Sequence, residues 1–182
     1  MVKDSETSLL LVLPVSGGDP WEKESSFIRS AFIAELTLAG YRCLSPSLID
    51  GVIRNATKEA EVNSDDSVAI VKISERGIAV SPSIPLKVIA DKLSADAIFH
   101  IEIVEATRTT SVFSAYYRLH IRFQKRSART GEKLWAREYN ESDSVWGFNK
   151  LRMKTENTIG YSNALSTIIR RAVIDSKKGE MD

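Results

Sequence analysis

The chain has one cysteine, Cys43. A lone thiol excludes an intramolecular disulfide framework and a cysteine-built zinc site. In its setting, "YRCLS", it reads as a small buried hydrophobe of a short strand rather than a reactive group. Long apolar runs are missing too. No stretch approaches the roughly 18 residues that a membrane-spanning helix requires. The nearest, "SLLLVLPVSGG", follows "MVKDSET", which is acidic on balance, and no small-residue cleavage site comes after it. That makes a poor secretory signal and a good buried strand. Charge of one sign is lacking as well. The 25 Lys and Arg against 24 Asp and Glu leave a net +1, so no global field selects nucleic acid or a membrane surface.

The motifs of catalysis are equally absent. "SGGDP" follows a first strand as a phosphate loop would, but it has no Lys-Ser/Thr ending, and Asp19 and Glu22 would repel an anion there. There is no G-x-S-x-G, and Ser25, Ser26 and Ser30 fall inside a predicted helix without a base beside them. His100 and His120 share the polar parity of neighbouring strands, where Glu102 would be a third ligand. Two histidines on a solvated sheet face are far more often plain surface residues than a metal site. The expectation is therefore a protein without catalytic residues, metal or cofactor.

What is present is a fold pattern. The 182 residues, 43% hydrophobic and 27% charged, suit one globular domain over 1–182. Leu9 to Val15 is an almost unbroken apolar run, as in a strand covered on both faces. Asp19, Pro20 and Glu22 form a helix start, and Phe27, Ile28, Ala31, Phe32, Ala34, Leu36 and Ala39 keep helical spacing up to Gly40. A short strand, Tyr41 to Leu44, leads to a short helix, "SPSLIDGVIRNAT", capped by Ser45. Residues 55–77 read as a variable loop or insertion, with a possible short strand at Val68 to Ile73. "SPSIPLKVIADKLSA" reads as a third helix.

Three strands follow. Ala97 to Glu105 places Ala97, Phe99, Ile101 and Ile103 on one face and Ile98, His100, Glu102 and Val104 on the other. Val112 to Arg126 alternates Phe113, Ala115, Tyr117, Leu119, Ile121 and Phe123 against Ser114, Tyr116, Arg118, His120, Arg122 and Gln124. "SARTGEK" is turn chemistry around Gly131, and Leu134 to Tyr139 pairs back. "NESDSVWGFNKLRM" reads as a loop, Lys154 to Asp175 as a closing helix, and 176–182 as a frayed tail. The sum is an α/β (α+β) domain with a mixed sheet of about five strands in the order β-α-β-α-α-β-β-β-α, helices packed on the sheet.

The ordered set "LLLVLPV", "FIAELTLAGYRCLSPSLID", "LSADAIFHIEI" and "RTGEKLW" resembles a bacterial lipoprotein family of the neisserial type, of unassigned function. Its soluble part has the fold of the TolB amino-terminal domain, with CsgG-like and LpoB-like proteins as wider relatives. The family's strand motif runs like "GADAxLYI" and its hairpin motif like "D-x-x-x-G-x-x-LW". Here Ser94 stands where Gly is usual, Phe99-His100 replaces the Leu-Tyr pair, and Ser127 stands where an acid is common. The resemblance covers Leu9 to Tyr139. The lipid-bearing cysteine is missing, and Cys43, which follows a predicted helix, does not replace it. Either the anchor lies outside this sequence or this member is not a lipoprotein.

The resemblance implies a non-enzymatic envelope domain, periplasmic and outer-membrane-associated, reaching a membrane only through an anchor not in this chain. Its implied partners are other envelope proteins and copies of itself, in an assembly, secretion or cell-wall accessory complex, and not nucleic acid. Two surfaces are candidates. Trp146, Phe148, Leu151 and Met153 fall in a Gly-containing loop, either as an exposed interaction surface or folded under the last helix. Arg118, His120 and Arg122 share a strand face with Tyr116, where they either take an anionic ligand or pair across strands with Glu102 and Glu138.

Overall fold

The computed structural model describes residues 8–17, 22–62 and 86–178. Among these described residues the elements run in the order β1 (Leu9–Val12), α1 (Glu22–Leu38), β2 (Arg42–Cys43), α2 (Pro46–Val62), α3 (Leu86–Leu93), β3 (Ala97–Thr110), β4 (Ser114–Ser127), β5 (Lys133–Trp146) and α4 (Lys150–Lys178). The expected α+β order is the observed one. The strands form one sheet in the order β2-β1-β3-β4-β5. β1 is parallel to β2 and to β3, and β3, β4 and β5 form an antiparallel meander. The expected helix start at Asp19 and Pro20 and the possible strand at Val68 to Ile73 lie outside the described residues.

Two cores flank the sheet. On one face α1 and α4 bury Ile28, Phe32, Leu165, Ile168 and Ile169 against Phe99, Ile101, Leu119, Ile121 and Phe123. Phe32 packs its ring 5.1 Å from Phe99 and 5.2 Å from Phe123. On the other face α2 and α3 bury Ile49, Ile53 and Ile89 against Leu11, Leu13 and Ile98. β1 is thus covered twice, Leu10 and Val12 entering the first core and Leu11 and Leu13 the second. This is why its sequence does not alternate. The second core stops at β3, so the same face of β4 and β5 carries no helix in the described structure.

The junctions follow local chemistry. Gly40, at φ 94°, ends α1 with Tyr41 N–H donating to Leu36 C=O at 3.0 Å. Ser45 Oγ accepts from Leu48 N–H and starts α2. Asp96 ties three segments together: its carboxylate accepts from Leu9 N–H at 2.6 Å, its own N–H donates to Leu9 C=O, and its C=O accepts from Ala128 N–H. Ser94, at the position where the resembling family favours glycine, has φ 50°. Only a residue tolerating the left-handed region fits there.

Four expectations are corrected. Residues 55–62, expected in a loop, continue α2, because "ATKEAEV" is good helix-forming sequence; residues 63–77 lie outside the described ones. Phe113, expected on the core face of β4, sits in the β3–β4 turn and is 57% exposed, because the hairpin closes at Ser111, whose N–H donates to Ser114 C=O at 2.7 Å. The "NESDSVW" stretch, expected as loop, is strand to Trp146. Its polar residues conceal it from periodicity because β5 is an edge strand, paired to β4 all the way to Ser114. Finally, α4 starts at Lys150, capped by Asn149 Oδ1 accepting from Arg152 N–H at 3.0 Å, and Ser176, expected in a frayed tail, is fully buried within it.

One irregularity redirects a face. In β3, Ile103 pairs with Ile121 but Glu105 with His120, leaving Val104 as a bulge. Beyond it Ala106, not Glu105, faces the core beside Leu119. Glu105 thereby joins the open sheet face.

Candidate binding surfaces

The β3–β4 turn, the end of β5 and the start of α4 meet at one end of the domain. There Trp146 is 75%, Phe148 93% and Leu151 76% exposed. Val112 and Phe113 of the turn are exposed beside them, with the Phe113 ring 5.8 Å from that of Phe148, edge to face. Gly147 N–H donates to Phe113 C=O at 3.1 Å and holds the two segments together. Met153 does not share this surface. It lies one helical turn into α4, buried beneath the loop at Gly147. Of the four residues expected here, three are on the outside and one is inside. Val112 and Phe113 were missed because alternation assigned them to a strand. Lys150, Arg152 and Lys154 rim the patch on α4, and Arg152 Nε pairs with Glu156 at 2.7 Å.

The second surface is the uncovered face of β3, β4 and β5. Arg118, His120 and Arg122 lie along it with Tyr116, as the alternation predicts. Arg122 is held between two carboxylates: Nη1 donates to Glu102 Oε2 and Nε to Glu138 Oε1, both at 2.7 Å. His120 Nε2 donates to the other Glu138 oxygen at 2.9 Å. Those bonds, from His120 first and Arg122 second, hold the Glu138 carboxyl below the usual carboxylate range. Arg118 lies 3.5 Å from Glu105, which the bulge delivered to this face. Of the two alternatives, an anionic ligand or cross-strand pairing with Glu102 and Glu138, the structure shows the pairing, and the bulge adds Glu105 to it. Beside them Arg122, Gln124, Lys133, Ala136, Arg137 and Glu138 line a shallow groove of about 350 Å³.

His100 does not join His120. It stands opposite Gln124, with Nε2 3.0 Å from Ser16 Oγ, and burial lowers its pKa. Ser16 Oγ also donates to Ile101 C=O at 3.3 Å, which ties the end of β1 to β3. The pair is a strand clasp with no third group aligned behind the imidazole among the described contacts. No cluster of three or more His, Cys, Asp or Glu suited to a metal ion occurs among the described residues. No described helix is long and apolar enough to cross a membrane.

Sequence gave no warning of one buried cation. Lys125 is 2% exposed on the core face of β4, with Nζ 5.5 Å from the rings of both Tyr41 and Phe99. Burial lowers its pKa to about 8.

No family model and no curated protein matches this chain. Solved structures do. The lipoprotein GNA1162 of Neisseria meningitidis aligns over 84% of this chain and 94% of its own, at 14% identity and a TM-score of 0.53. This chain shares the GNA1162 fold. The CT253 protein of Chlamydia trachomatis aligns over 92% of this chain and 96% of its own at 16% identity and a TM-score of 0.49. The PelC dodecamer of Paraburkholderia phytofirmans aligns over 91% and 83% at 12% identity and 0.47. At such identities the likeness to GNA1162 speaks for architecture, and the surfaces must be argued from their own chemistry.

Proposed function

We propose that this chain is a non-catalytic domain of the bacterial envelope that works by binding, docking an envelope protein partner on the tip formed by Val112, Phe113, Trp146, Phe148 and Leu151 and associating with copies of itself. The carrying observation is the tip: large apolar side chains from three segments stand exposed together, with the Phe113 and Phe148 rings in contact. The basic rim of Lys150, Arg152 and Lys154 favours a partner whose pocket has an acidic border. The fold shared with a lipoprotein supports a periplasmic setting on the outer-membrane side, with attachment through an anchor beyond these residues.

The test places a photo-crosslinking residue at Phe148 in cells. A single adduct in the envelope fraction, lost when Phe113 and Leu151 are both changed to serine, is the expected result. Absence of any adduct, or one indifferent to those changes, overturns the reading. A second reading, a small anionic ligand held by Arg118, His120 and Arg122, draws support from the adjoining groove. It requires the ligand to displace Glu102 or Glu138 from Arg122, so it predicts a salt-sensitive thermal shift with nucleotides, phospholipid headgroups or cell-wall fragments.

A further inference from the structure

In the middle of the open sheet face each cation has a carboxylate beside it. Arg118, His120 and Arg122 are paired with Glu105, Glu138 and Glu102, respectively. Towards the β4–β5 hairpin this pattern breaks. Gln124 faces Ala136 and Lys125 faces Trp135, but Arg126 faces Lys133, so Leu134 is the extra residue of a second bulge. Unbroken pairing would set Leu134 opposite Arg126. The bulge instead brings a second cation there. Like charges directly opposite destabilise a sheet. No carboxylate offsets this one. Among the described residues the Lys133 side chain has no hydrogen bond or ion pair, and Arg126 makes a single side-chain bond, from Nη1 to the neutral Gly131 C=O at 3.0 Å.

The two cations border a hollow. The groove of about 350 Å³ already described is lined by Lys133, Gln124 and Ala136 together with Arg122, Arg137 and Glu138. Ala136 leaves space where its neighbours are long, and the Gln124 side-chain amide opposite it has no partner among the described residues. Glu138 has both oxygens engaged, one by His120 and one by Arg122, and Arg137 is held by Asp175. On the other side the α2–α3 layer buries Ile98, which faces Arg126, and Ala128. Arg126 thus stands at the step where the covered sheet gives way to the open one. Its field reaches His100, where burial, then Arg126 and Arg122, lower the imidazole pKa against the pull of Glu102.

Two cations at one spot, without a carboxylate, call for a compact dianion. A phosphate monoester carries close to two charges near neutral pH and offers three acceptor oxygens; a carboxylate carries one charge. The Arg126 fork suits two of those oxygens, the Lys133 ammonium supplies a point charge, and the Gln124 amide donates a further bond.

We propose that Lys133, Arg126 and Gln124 form a binding site for a phosphate monoester group, seated over Ala136. This deepens the second reading above: it moves the anion away from Arg118, His120 and Arg122, which hold carboxylates, to the neighbouring cations that hold none. The apolar tip takes no part in it.

The test is an amide NMR titration of the whole chain with glycerol 3-phosphate, beside co-sedimentation with phosphatidylcholine vesicles with and without phosphatidic acid. Shifts are expected at the Gln124 side-chain amide and at the backbone of Arg126, Lys133 and Ala136. Lys133→Gln and Arg126→Gln should each weaken binding about 3- to 10-fold. Lys133→Glu should abolish it and yet raise the melting temperature by about 1–4 °C, because it replaces a like-charge pair with an opposite one. A response to glycerol 3-phosphate alone assigns the site to a soluble ester; sedimentation with phosphatidic acid as well assigns it to a lipid headgroup. No response to either probe, binding indifferent to Lys133→Gln, or a lower melting temperature for Lys133→Glu overturns the inference. Binding lost in Arg118→Gln but kept in Lys133→Gln refutes it and leaves the earlier anion reading standing.

Discussion

Replacing Arg29 with methionine should expose how the two helical layers are locked. Arg29 is on α1, on the larger-core side of the sheet, and Asp50 is on α2, on the other. The guanidinium spans the end of β1, with Nη1 on both carboxylate oxygens of Asp50 at 2.8 and 3.0 Å and with Nε and Nη2 on Val12 C=O at 3.1 and 3.0 Å. The side chains are 9% and 24% exposed, respectively. Breaking a fully buried pair costs about 3–5 kcal/mol; the partial hydration open to Asp50 reduces that to about 2–4 kcal/mol. Methionine keeps the apolar stem, so the loss is of polar bonds and not packing. For a chain of this size the melting temperature should fall by about 4–16 °C. Asp50→Asn keeps one acceptor and should cost about half as much. Arg29→Met with Asp50→Leu should recover most of the loss, since no buried charge is left alone. Urea unfolding of the wild type, Arg29→Met, Asp50→Leu and the double variant closes the cycle. A cost for Arg29→Met under about 0.5 kcal/mol, or additivity of the two changes within about 0.5 kcal/mol, refutes the argument.

Lys125→Met should stabilise by about 1–3 kcal/mol near neutral pH, because the folded state suppresses the charged amine. Between pH about 8 and the ordinary lysine value the unfolded chain holds more protons, so wild-type stability should gain with rising pH relative to the variant; urea midpoints across pH 7 to 10 that stay parallel contradict this. Ser94→Gly should stabilise by about 0.5–1 kcal/mol through release of a left-handed strain, and a lower melting temperature speaks against it. Gly17→Ala should destabilise by about 2 kcal/mol or more. Its φ is 131° and an added Cβ would meet Ile103 C=O at 2.6 Å; unaltered thermal melting would show that the β1 extension is dispensable.

Where side chains alternate, or where a cap or left-handed glycine marks an end, local pattern was sufficient to read the element. Ser45, Gly40 and Gly131 stand where the sequence places them, the last at φ 72°. Pattern failed where a neighbour overrides it. The second half of β5 is polar from Asn140 to Ser144 and becomes strand only by pairing with β4, and Val104 leaves the ladder only because β3 and β4 shift register there. The candidate sites divided similarly. Arg118, His120 and Arg122 share a face by simple parity, but whether they form a cationic strip depends on Glu102, Glu105 and Glu138 from two other strands.

Residue order by itself determined the element types, their sequence and the mixed sheet, because periodicity, caps and turn residues act over a few neighbours and need no partner. Which apolar side chains are left outside was decided only in three dimensions. Trp146, Phe148 and Leu151 are no more polar than buried Met153, and Phe113 no more polar than buried Phe123. What separates them is where the β3–β4 turn closes and where Asn149 starts α4, since burial is a property of the packed chain and not of the residue.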